Sequence, residues 1–237
     1  MQRAAGANPP QNDTCKFNHK GARAEASPGV AVTPRCRVMV FAKAPRPGRV
    51  KTRLIPVLGE TGAAQLQQQL IERTLRTAVA AGLGTIELWC APAPDEPYFS
   101  DCAKRQQLSL RAQGEGDLGL RMARALESAM AEGSPGLLIG CDCPALTPAY
   151  LREAAAALAG GDDAVFGPAE DGGYVLVGAA RSPVAGLFED IAWGGAAVMQ
   201  ETRQRLARGN WRWRELATLW DVDRPEDLAR LRQLPAN

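Results

Sequence analysis

Apolar runs of strand length alternate with helical patterns along almost the whole chain. The sequence predicts strands near residues 37–42, 85–91, 107–112, 136–141, 163–167, 173–179 and 211–217. It predicts helices near residues 60–82, 118–131, 148–159, 195–208 and 225–233. Strands separated by helices usually pair in parallel, because the helical crossover returns the chain to the same edge of the sheet. The pattern therefore predicts a three-layer α/β/α domain around a mostly parallel sheet.

Length and composition favour one domain. A chain of 237 residues, 46% of them hydrophobic, can bury one sizeable core. Residues 1–35 lack apolar periodicity, so we expect a disordered extension there and a single domain over residues 36–237. The net charge of +2 argues against nucleic acid as the main partner. No apolar run approaches the roughly 18 residues of a membrane span, and we expect a soluble, cytoplasmic protein.

The first predicted strand, RVMVFA, continues directly into a basic loop, KAPRPGRVKTRL. Five cations follow with no acidic residue before Glu60, and they are Lys43, Arg46, Arg49, Lys51 and Arg53. In α/β sheets, phosphates bind where a strand ends in a loop of cations and glycine that leads into a helix. A solvated surface loop is the alternative. The order of strand, basic loop and helix favours a site for nucleotide phosphates.

Acidic residues follow several of the other apolar runs. They are Asp142 in LLIGCDCPAL, Glu170 and Asp171 in GPAEDGGY, and Asp221 and Asp223 in LWDVDRP. Oxygen ligands at the carboxyl ends of strands, near a phosphate loop, suit Mg²⁺ or Mn²⁺ bound to a nucleotide diphosphate. A single aspartate after a strand is also typical of a helix N-cap or a turn. Their recurrence favours a functional role, with Asp142, Asp221 and Asp223 as candidate metal ligands.

Cysteine and histidine usage narrows the chemistry. The six cysteines show neither CxxC spacing nor the density of a secreted scaffold, so we expect reduced thiols. Cys141 and Cys143 flank Asp142, and a metal or redox pair there is the less favoured alternative to simple packing. The only histidine, His19, lies in the predicted extension. This argues against a Ser/His/Asp triad, a His-ligated zinc site or a histidine base in the folded domain.

Glycines precede the second predicted helix in the sequence QGEGDLG. The backbone at Gly116 and Asp117 could approach a bound nucleotide closely, and a plain turn is the alternative. The helix that follows is expected to bury Leu118 and to leave Arg121 and Arg124 to water or to a ligand.

The order and spacing of five motifs resemble the DUF2064 family. The motifs are FAKAPRPGRVKTRL, GDLGLRMARAL, LIGCDCPALTPAYL, GPAEDGGYVLVG and WDVDRPEDLARL, and they span residues 37–232. Members are glycosyltransferase-like proteins associated with radical SAM enzymes or arsenosugar biosynthesis. The resemblance implies a GT-A fold, the Rossmann-like sheet of nucleotide-diphospho-sugar transferases. Molybdenum-cofactor and phospholactate guanylyltransferases also use this fold, so the fold alone does not assign the reaction.

The resemblance also implies roles for individual residues. It places nucleotide phosphates on Lys43, Arg49, Lys51 and Arg53, and Asp142 near the metal and the ribose. It places the sugar and its acceptor at Gly172, Gly173 and Trp193, with Glu170 or Asp171 as the base that deprotonates an acceptor hydroxyl. One departure is visible: the family usually follows this tryptophan with a small hydroxyl residue and a threonine. Here Gly194 and Gly195 follow, so two potential hydrogen bonds are absent.

Three functions fit these residues. Glycosyl transfer needs a base on the acceptor side, which the carboxylates of EDGGY supply, and cations that stabilise the departing diphosphate. Nucleotidyl transfer needs mainly in-line alignment of a phosphate, but its enzymes usually carry a glycine-rich first loop, whereas KAPRPGR contains prolines. A nucleotide-sugar-binding protein without turnover would fit the missing hydroxyls. We expect a metal-dependent glycosyltransferase with a nucleotide-sugar donor and a small-molecule acceptor, working in a pathway with a radical SAM enzyme.

Overall fold

The computed structural model describes residues 35–234. Within this range the chain forms one seven-stranded sheet: β1 (Arg37–Lys43), β2 (Ile86–Ala91), β3 (Ser109–Ala112), β4 (Gly136–Gly140), β5 (Ala164–Pro168), β6 (Tyr174–Ala179) and β7 (Trp213–Glu215). The strand order is β3-β2-β1-β4-β6-β5-β7. The predicted disordered extension over residues 1–35 lies outside the described residues, apart from Arg35.

One strand runs against the others. The pairs β1/β2, β2/β3, β1/β4 and β5/β7 are parallel, whereas β6 is antiparallel to both of its neighbours, β4 and β5. The connection from β5 to β6 is residues 169–173, too short for a crossover, so the two strands form a hairpin. The predicted mostly parallel, mixed sheet is confirmed.

The described residues form six α-helices: α1 (Ile55–Ala81), α2 (Pro97–Gln106), α3 (Leu118–Ala131), α4 (Pro148–Ala159), α5 (Val198–Arg208) and α6 (Asp227–Leu231). Two short 3-10 turns, Thr52–Leu54 and Ala185–Leu187, complete the set. In α1 the backbone at Gly59 is not helical (φ 69°, ψ 168°), so regular helix runs from Glu60, where the sequence predicts it. None of these helices is long and apolar enough to cross a membrane.

Strand β1 shows why the domain has three layers. Its side chains alternate between two hydrophobic clusters, because successive residues of a strand point to opposite faces of the sheet. Val38 and Val40 pack with residues of α1 and α4 in one cluster. Met39 and Phe41 pack with residues of α3 and α5 in the other. Helices therefore cover both faces of the sheet, as the sequence predicts.

A third, smaller cluster fixes the C-terminal segment beside the sheet. Leu54, which directly precedes α1, and Leu66, within α1, pack there with Trp220, Val222 and Leu228. This cluster holds residues 219–223 against the carboxyl ends of β4 and β5, where Val222 N donates to Asp142 O at 2.8 Å. The same segment carries two of the predicted metal ligands.

The strand order creates a crevice at one edge of the sheet. The chain proceeds outward from β1 to β2 and β3, then returns to β4 on the other side of β1. Loops that follow β1 and β4 diverge at such a switch point, and open α/β sheets bind ligands there. The basic loop follows β1 and Asp142 follows β4, so the fold brings the two predicted motifs together.

One packing prediction is wrong. Leu118, expected to be buried by α3, is 41% exposed. It is the first residue of the helix, and it faces the open space at the carboxyl edge of the sheet instead of the core. The other α3 residues on the apolar face, Met122, Ala125, Leu126 and Ala129, are buried.

Candidate active site

A cavity of about 680 Å³ opens at the carboxyl edge of the sheet. Residues of the basic loop line one side, and four carboxylates of the described residues also line it: Asp142, Asp171, Asp221 and Asp223. Lys43, Arg49, Lys51, Arg53, Gly173 and Trp193 are the other predicted site residues in its wall. The fold therefore gathers most of the predicted site around one space of a size suited to a nucleotide.

Lys51 connects three separate segments of the chain at the centre of this site. Its Nζ donates to Asp142 Oδ1 at 2.6 Å and to the Val222 backbone oxygen, also at 2.6 Å. The Lys51 side chain is only 5% exposed, whereas that of Asp142 is 52% exposed. The ammonium group thus already has two partners and holds Asp142 in position at the cavity wall.

The remaining cations of the basic loop differ in whether they form ion pairs. Arg53 pairs with Asp223, and Arg46 pairs with Glu96 outside the cavity lining. Lys43 and Arg49 line the cavity, are exposed, and make no ion pair with any described residue. These two side chains are therefore the cations best placed to meet an incoming anion.

The carboxyl group of Asp221 is influenced by two neighbouring carboxylates in the cavity wall. The pKa of Asp221 is raised to about 6, first because it is partly buried and then because the charges of Asp171 and Asp142 lie close to it. The charge of Lys51 opposes that rise. A carboxyl group whose ionisation is resisted by neighbouring carboxylates marks a centre that a cation would stabilise.

The arrangement suits a metal that arrives with its substrate better than a closed protein site. Among the described residues, no set of three or more His, Cys, Asp or Glu side chains is arranged to hold a metal ion. Mg²⁺ is usually bound by one or two carboxylates together with substrate phosphates. Asp142 and Asp221 provide hard oxygen donors of that kind beside the basic loop.

The two neighbouring acids Glu170 and Asp171 occupy different environments. Asp171 lines the cavity, and its Oδ1 accepts a hydrogen bond from Gly173 N at 2.9 Å. Glu170 is outside the cavity lining, and its two oxygens accept from Arg230 at 2.7 and 2.9 Å. The hydrogen bond and the charge of Arg230 lower the pKa of the Glu170 carboxyl. Of the two predicted bases, Asp171 is the one that the fold presents to a ligand.

Three other predicted residues lie next to the cavity without lining it. Asp117 is the N-cap of α3, and its Oδ1 accepts from Leu120 N at 2.8 Å. The carbonyl oxygen of Gly116 accepts from Arg121 Nε at 2.8 Å. At Gly172 a Cβ would lie 2.2 Å from the Ala196 backbone oxygen, so a neighbouring backbone requires this glycine.

Aromatic rings form the wall beside Asp171. Tyr174 and Trp193 line the cavity, with ring centroids 6.3 Å apart and an interplanar angle of 86°. The indole Nε1 of Trp193 is buried and has no hydrogen-bond partner among the described residues. Gly194 and Gly195 follow it in the same wall, so no side chain narrows the cavity there.

Sequence reasoning missed Gln113. This residue is 6% exposed, lines the cavity, and its Nε2 donates to the backbone oxygens of Ala42 at 3.3 Å and Trp89 at 2.9 Å. In the sequence it looks like the start of a glycine-rich turn. Its position directly after β3 was the available signal, because residues that follow strands line the carboxyl edge of the sheet.

Comparisons with known proteins agree with the α/β fold. A family model described as "Uncharacterized protein conserved in bacteria (DUF2064)" matches residues 74–195. A candidate nucleotide-diphospho-sugar transferase from Desulfovibrio desulfuricans G20 is 30% identical, with a TM-score of 0.75 over 85% of this chain and 89% of that chain. No curated protein matches the chain at a significant level.

More distant solved structures share the fold. A 4-diphosphocytidyl-2C-methyl-D-erythritol synthase from Anaerococcus prevotii DSM 20548 is 12% identical, with a TM-score of 0.57 over 84% of this chain and 100% of that chain. A nucleotidyl transfer enzyme from Methanothermobacter is 16% identical, with a TM-score of 0.55 over 83% and 96%. At these identities the likeness shows the fold alone.

Proposed function

Because the chain belongs to the DUF2064 family, we propose that it is a metal-dependent glycosyltransferase that moves a sugar from a nucleotide-sugar donor to a small acceptor bearing a hydroxyl or thiol. One observation carries the choice of reaction: Asp171 lines the same cavity as the basic loop, close enough to Asp221 to raise its pKa. Glycosyl transfer needs a carboxylate on the acceptor side and cations on the donor side, and the cavity offers both.

In the proposed reaction the acceptor hydroxyl gives its proton to Asp171 as its oxygen bonds to the anomeric carbon. The bond from that carbon to the diphosphate breaks, and its electron pair goes to the phosphate oxygen. Lys43 and Arg49 stabilise the negative charge that develops there, because both line the cavity and neither has an ion-pair partner among the described residues. Lys51 acts as a positioning residue that orients Asp142.

A divalent cation fits the same proposal. Asp142 and Asp221 would hold Mg²⁺ or Mn²⁺ together with the diphosphate, and the bound ion would neutralise charge on the leaving group. Asp142 uses Oδ1 for Lys51, and its second oxygen accepts no hydrogen bond from a described residue. Asp223, the third predicted ligand, is engaged by Arg53 and would contribute only after that pair opens.

Nucleotidyl transfer is the second candidate, and the two unpaired cations favour it. Lys43 and Arg49 could hold the additional phosphate of a nucleoside triphosphate, from which pyrophosphate would leave after attack on the α-phosphate. A phosphate nucleophile needs no carboxylate base. In that case Asp171 would be dispensable for the chemical step.

The products of the reaction distinguish these candidates. The protein is incubated with sugar nucleotides, Mn²⁺ and a panel of small acceptors, and separately with nucleoside triphosphates and sugar phosphates. Release of nucleoside diphosphate supports glycosyl transfer, and release of pyrophosphate supports nucleotidyl transfer. Tight binding of sugar nucleotides with no product from any mixture would contradict both and favour a binding protein without turnover.

A pair of adjacent variants tests the role of Asp171. Asp171→Asn should lower kcat by about 100-fold to 10,000-fold, as expected for loss of a general base, with donor binding nearly unchanged. Glu170→Gln is the matched control, because Glu170 is the neighbouring carboxylate but bonds to Arg230 outside the cavity lining. If the control loses as much activity as Asp171→Asn, Asp171 has no special role as the base.

A further inference from the structure

The two ends of the cavity differ in chemistry. The end that follows β4 and β5 carries Asp142 and Asp171, and the C-terminal segment adds Asp221 and Asp223. At the end formed by β1, β2, β3 and the first turns of α3, none of the described lining residues is a carboxylate. The basic loop lies between the two ends and would hold the phosphates of a nucleotide. The reacting group of the nucleotide then belongs at the acidic end, and its nucleobase belongs at the other end.

Gln113 presents a fixed hydrogen-bond acceptor at this second end. Its Nε2 is committed to the carbonyl oxygens of Ala42 and Trp89, which fixes the orientation of the amide. Its Oε1 accepts no hydrogen bond from a described residue. The side chain is more than nine-tenths buried and lines the cavity, so the oxygen is a partner for a ligand N–H group.

Arg121 presents hydrogen-bond donors at the same end. Its Nε donates to Gly116 O at 2.8 Å, while its two Nη nitrogens make no hydrogen bond or ion pair with a described residue. Arg124, one turn further along α3, donates to the Gln113 backbone oxygen at 2.7 Å and so ties the helix to Gln113. The acceptor and the donors therefore belong to one braced unit, with Leu118 and Met122 as apolar neighbours in the cavity wall.

We propose that Gln113 and Arg121 select nucleotides whose base carries a keto oxygen beside a ring N–H, which means guanine, hypoxanthine, uracil or thymine. Arg121 would donate to the keto oxygen and Gln113 Oε1 would accept from the ring N–H. Adenine and cytosine reverse this pattern, since they place an amino group beside an unprotonated ring nitrogen. Either base would place its unprotonated ring nitrogen against Gln113 Oε1, and both of these are acceptors. Its amino group would face the Arg121 guanidinium, and both of these are donors. This inference rests on the proposed use of a nucleotide donor.

Matched nucleotide pairs test the inference directly. Inosine diphosphate and adenosine diphosphate differ at this edge and have rings of the same size, as do uridine diphosphate and cytidine diphosphate. Calorimetry with Mg²⁺ present should show the keto member binding at least about tenfold more tightly, for whichever ring size the cavity accepts. Equal affinities, or a preference for the amino member, would overturn the inference while leaving nucleotide binding in place. If none of the four binds, the proposed function itself fails and the inference fails with it.

A variant of Arg121 tests whether this residue causes the preference for keto bases. Arg121→Met removes the donors and keeps a long side chain, and the ratio of keto to amino affinity, measured with the matched pair that the wild-type protein binds, should fall to within about threefold. Arg105→Met is the control, because Arg105 lies on α2 outside this cavity, and it should keep the wild-type ratio. The ratio within one variant does not depend on how much of the protein is folded. An unchanged ratio in Arg121→Met would contradict the assignment.

Discussion

Lys51 and Arg49 lie only two positions apart in the basic loop, but Lys51 is buried and Arg49 is exposed. Their substitution should therefore affect stability and ligand binding differently. Lys51→Met should lower the free energy of unfolding by about 1 to 2 kcal/mol, because the Val222 oxygen loses a charged donor. Loss of the Asp142 pair should add little, since that carboxylate is half exposed. Urea denaturation measures the change.

Arg49→Met is the complementary variant. The exposed Arg49 has no ion-pair partner among the described residues, so its loss should change the free energy of unfolding by less than about 0.5 kcal/mol. Nucleoside diphosphate binding should instead weaken by about tenfold, which corresponds to about 1.4 kcal/mol. If both variants lose stability and binding to the same degree, the distinction between a positioning lysine and a phosphate-binding arginine is wrong.

Two glycines with positive φ should respond differently to alanine. Gly194 (φ 81°) has open space at its Cβ position, so Gly194→Ala should cost only the backbone strain of about 1 to 2 kcal/mol. Gly172→Ala should cost at least about 1 kcal/mol more, because the new methyl meets the backbone of Ala196. Urea denaturation of the pair checks this, and equal costs would show that the Ala196 backbone moves aside easily.

At the scale of elements, Asp117 distinguishes a capping role from a binding role. Asp117→Ala should lower the free energy of unfolding by about 1 kcal/mol, because α3 loses its side-chain N-cap. Thr147→Ala removes the equivalent cap of α4, whose Oγ1 accepts from Tyr150 N at 3.2 Å, and should cost a similar amount. A loss of nucleotide affinity above tenfold in Asp117→Ala alone would instead make Asp117 a ligand contact.

Helices with long periodic patterns were predicted with their bounds, the short elements β3, β7 and α6 were predicted too long, and α2 was not predicted. Helices α3 and α4 begin and end where the sequence predicts, since each carries a full apolar stripe. Helix α2 escaped prediction because its apolar face consists mainly of Phe99 and Cys102, which is too short a pattern to recognise. The alternation of apolar residues also predicts that β6 is a strand, but it does not predict the direction of that strand. The antiparallel direction follows from the connection to β5, which has only five residues.

At the scale of the whole molecule, five thiols should be protected by the fold. Cys36, Cys90, Cys102, Cys141 and Cys143 are buried. Burial raises the pKa of Cys36 to about 11 and those of Cys90 and Cys143 to about 12, and it also raises the pKa of Cys141. A raised thiol pKa means less thiolate at pH 8, and thiolate is the reactive form.

The measurement uses a Cys15→Ser variant, which keeps only the five thiols of the described residues. At pH 8 their reaction with an aromatic disulfide reagent should be at least about 100-fold slower in the native protein than in urea. Prompt reaction of even one thiol in native buffer would show that the fold around it opens readily.

The sequence was enough to predict that charged residues gather at this candidate site, but not how their side chains pair. Cations after β1 and acids after β4 and β5 must meet, because the carboxyl ends of parallel strands share one edge. The sequence does not reveal that Lys51 pairs with Asp142 or that Arg230 donates hydrogen bonds to Glu170. Nor does it reveal that the buried Gln113 side chain donates to the Ala42 backbone oxygen. Those choices depend on side-chain packing between segments that are far apart in the chain.

The hydrogen bonds from Lys51 to Asp142 and to the Val222 oxygen also have a consequence for the order in which the candidate site is completed during synthesis. The three residues that they join come from the first strand-loop unit, the middle of the domain and the C-terminal segment. A nascent chain in which residues 221–223 have not yet emerged lacks Asp221, Asp223 and one anchor of Lys51, so its cavity lacks two of its four carboxylates. We therefore expect nucleotide binding only after the segment around Val222 has folded back onto the sheet and given Lys51 its second partner.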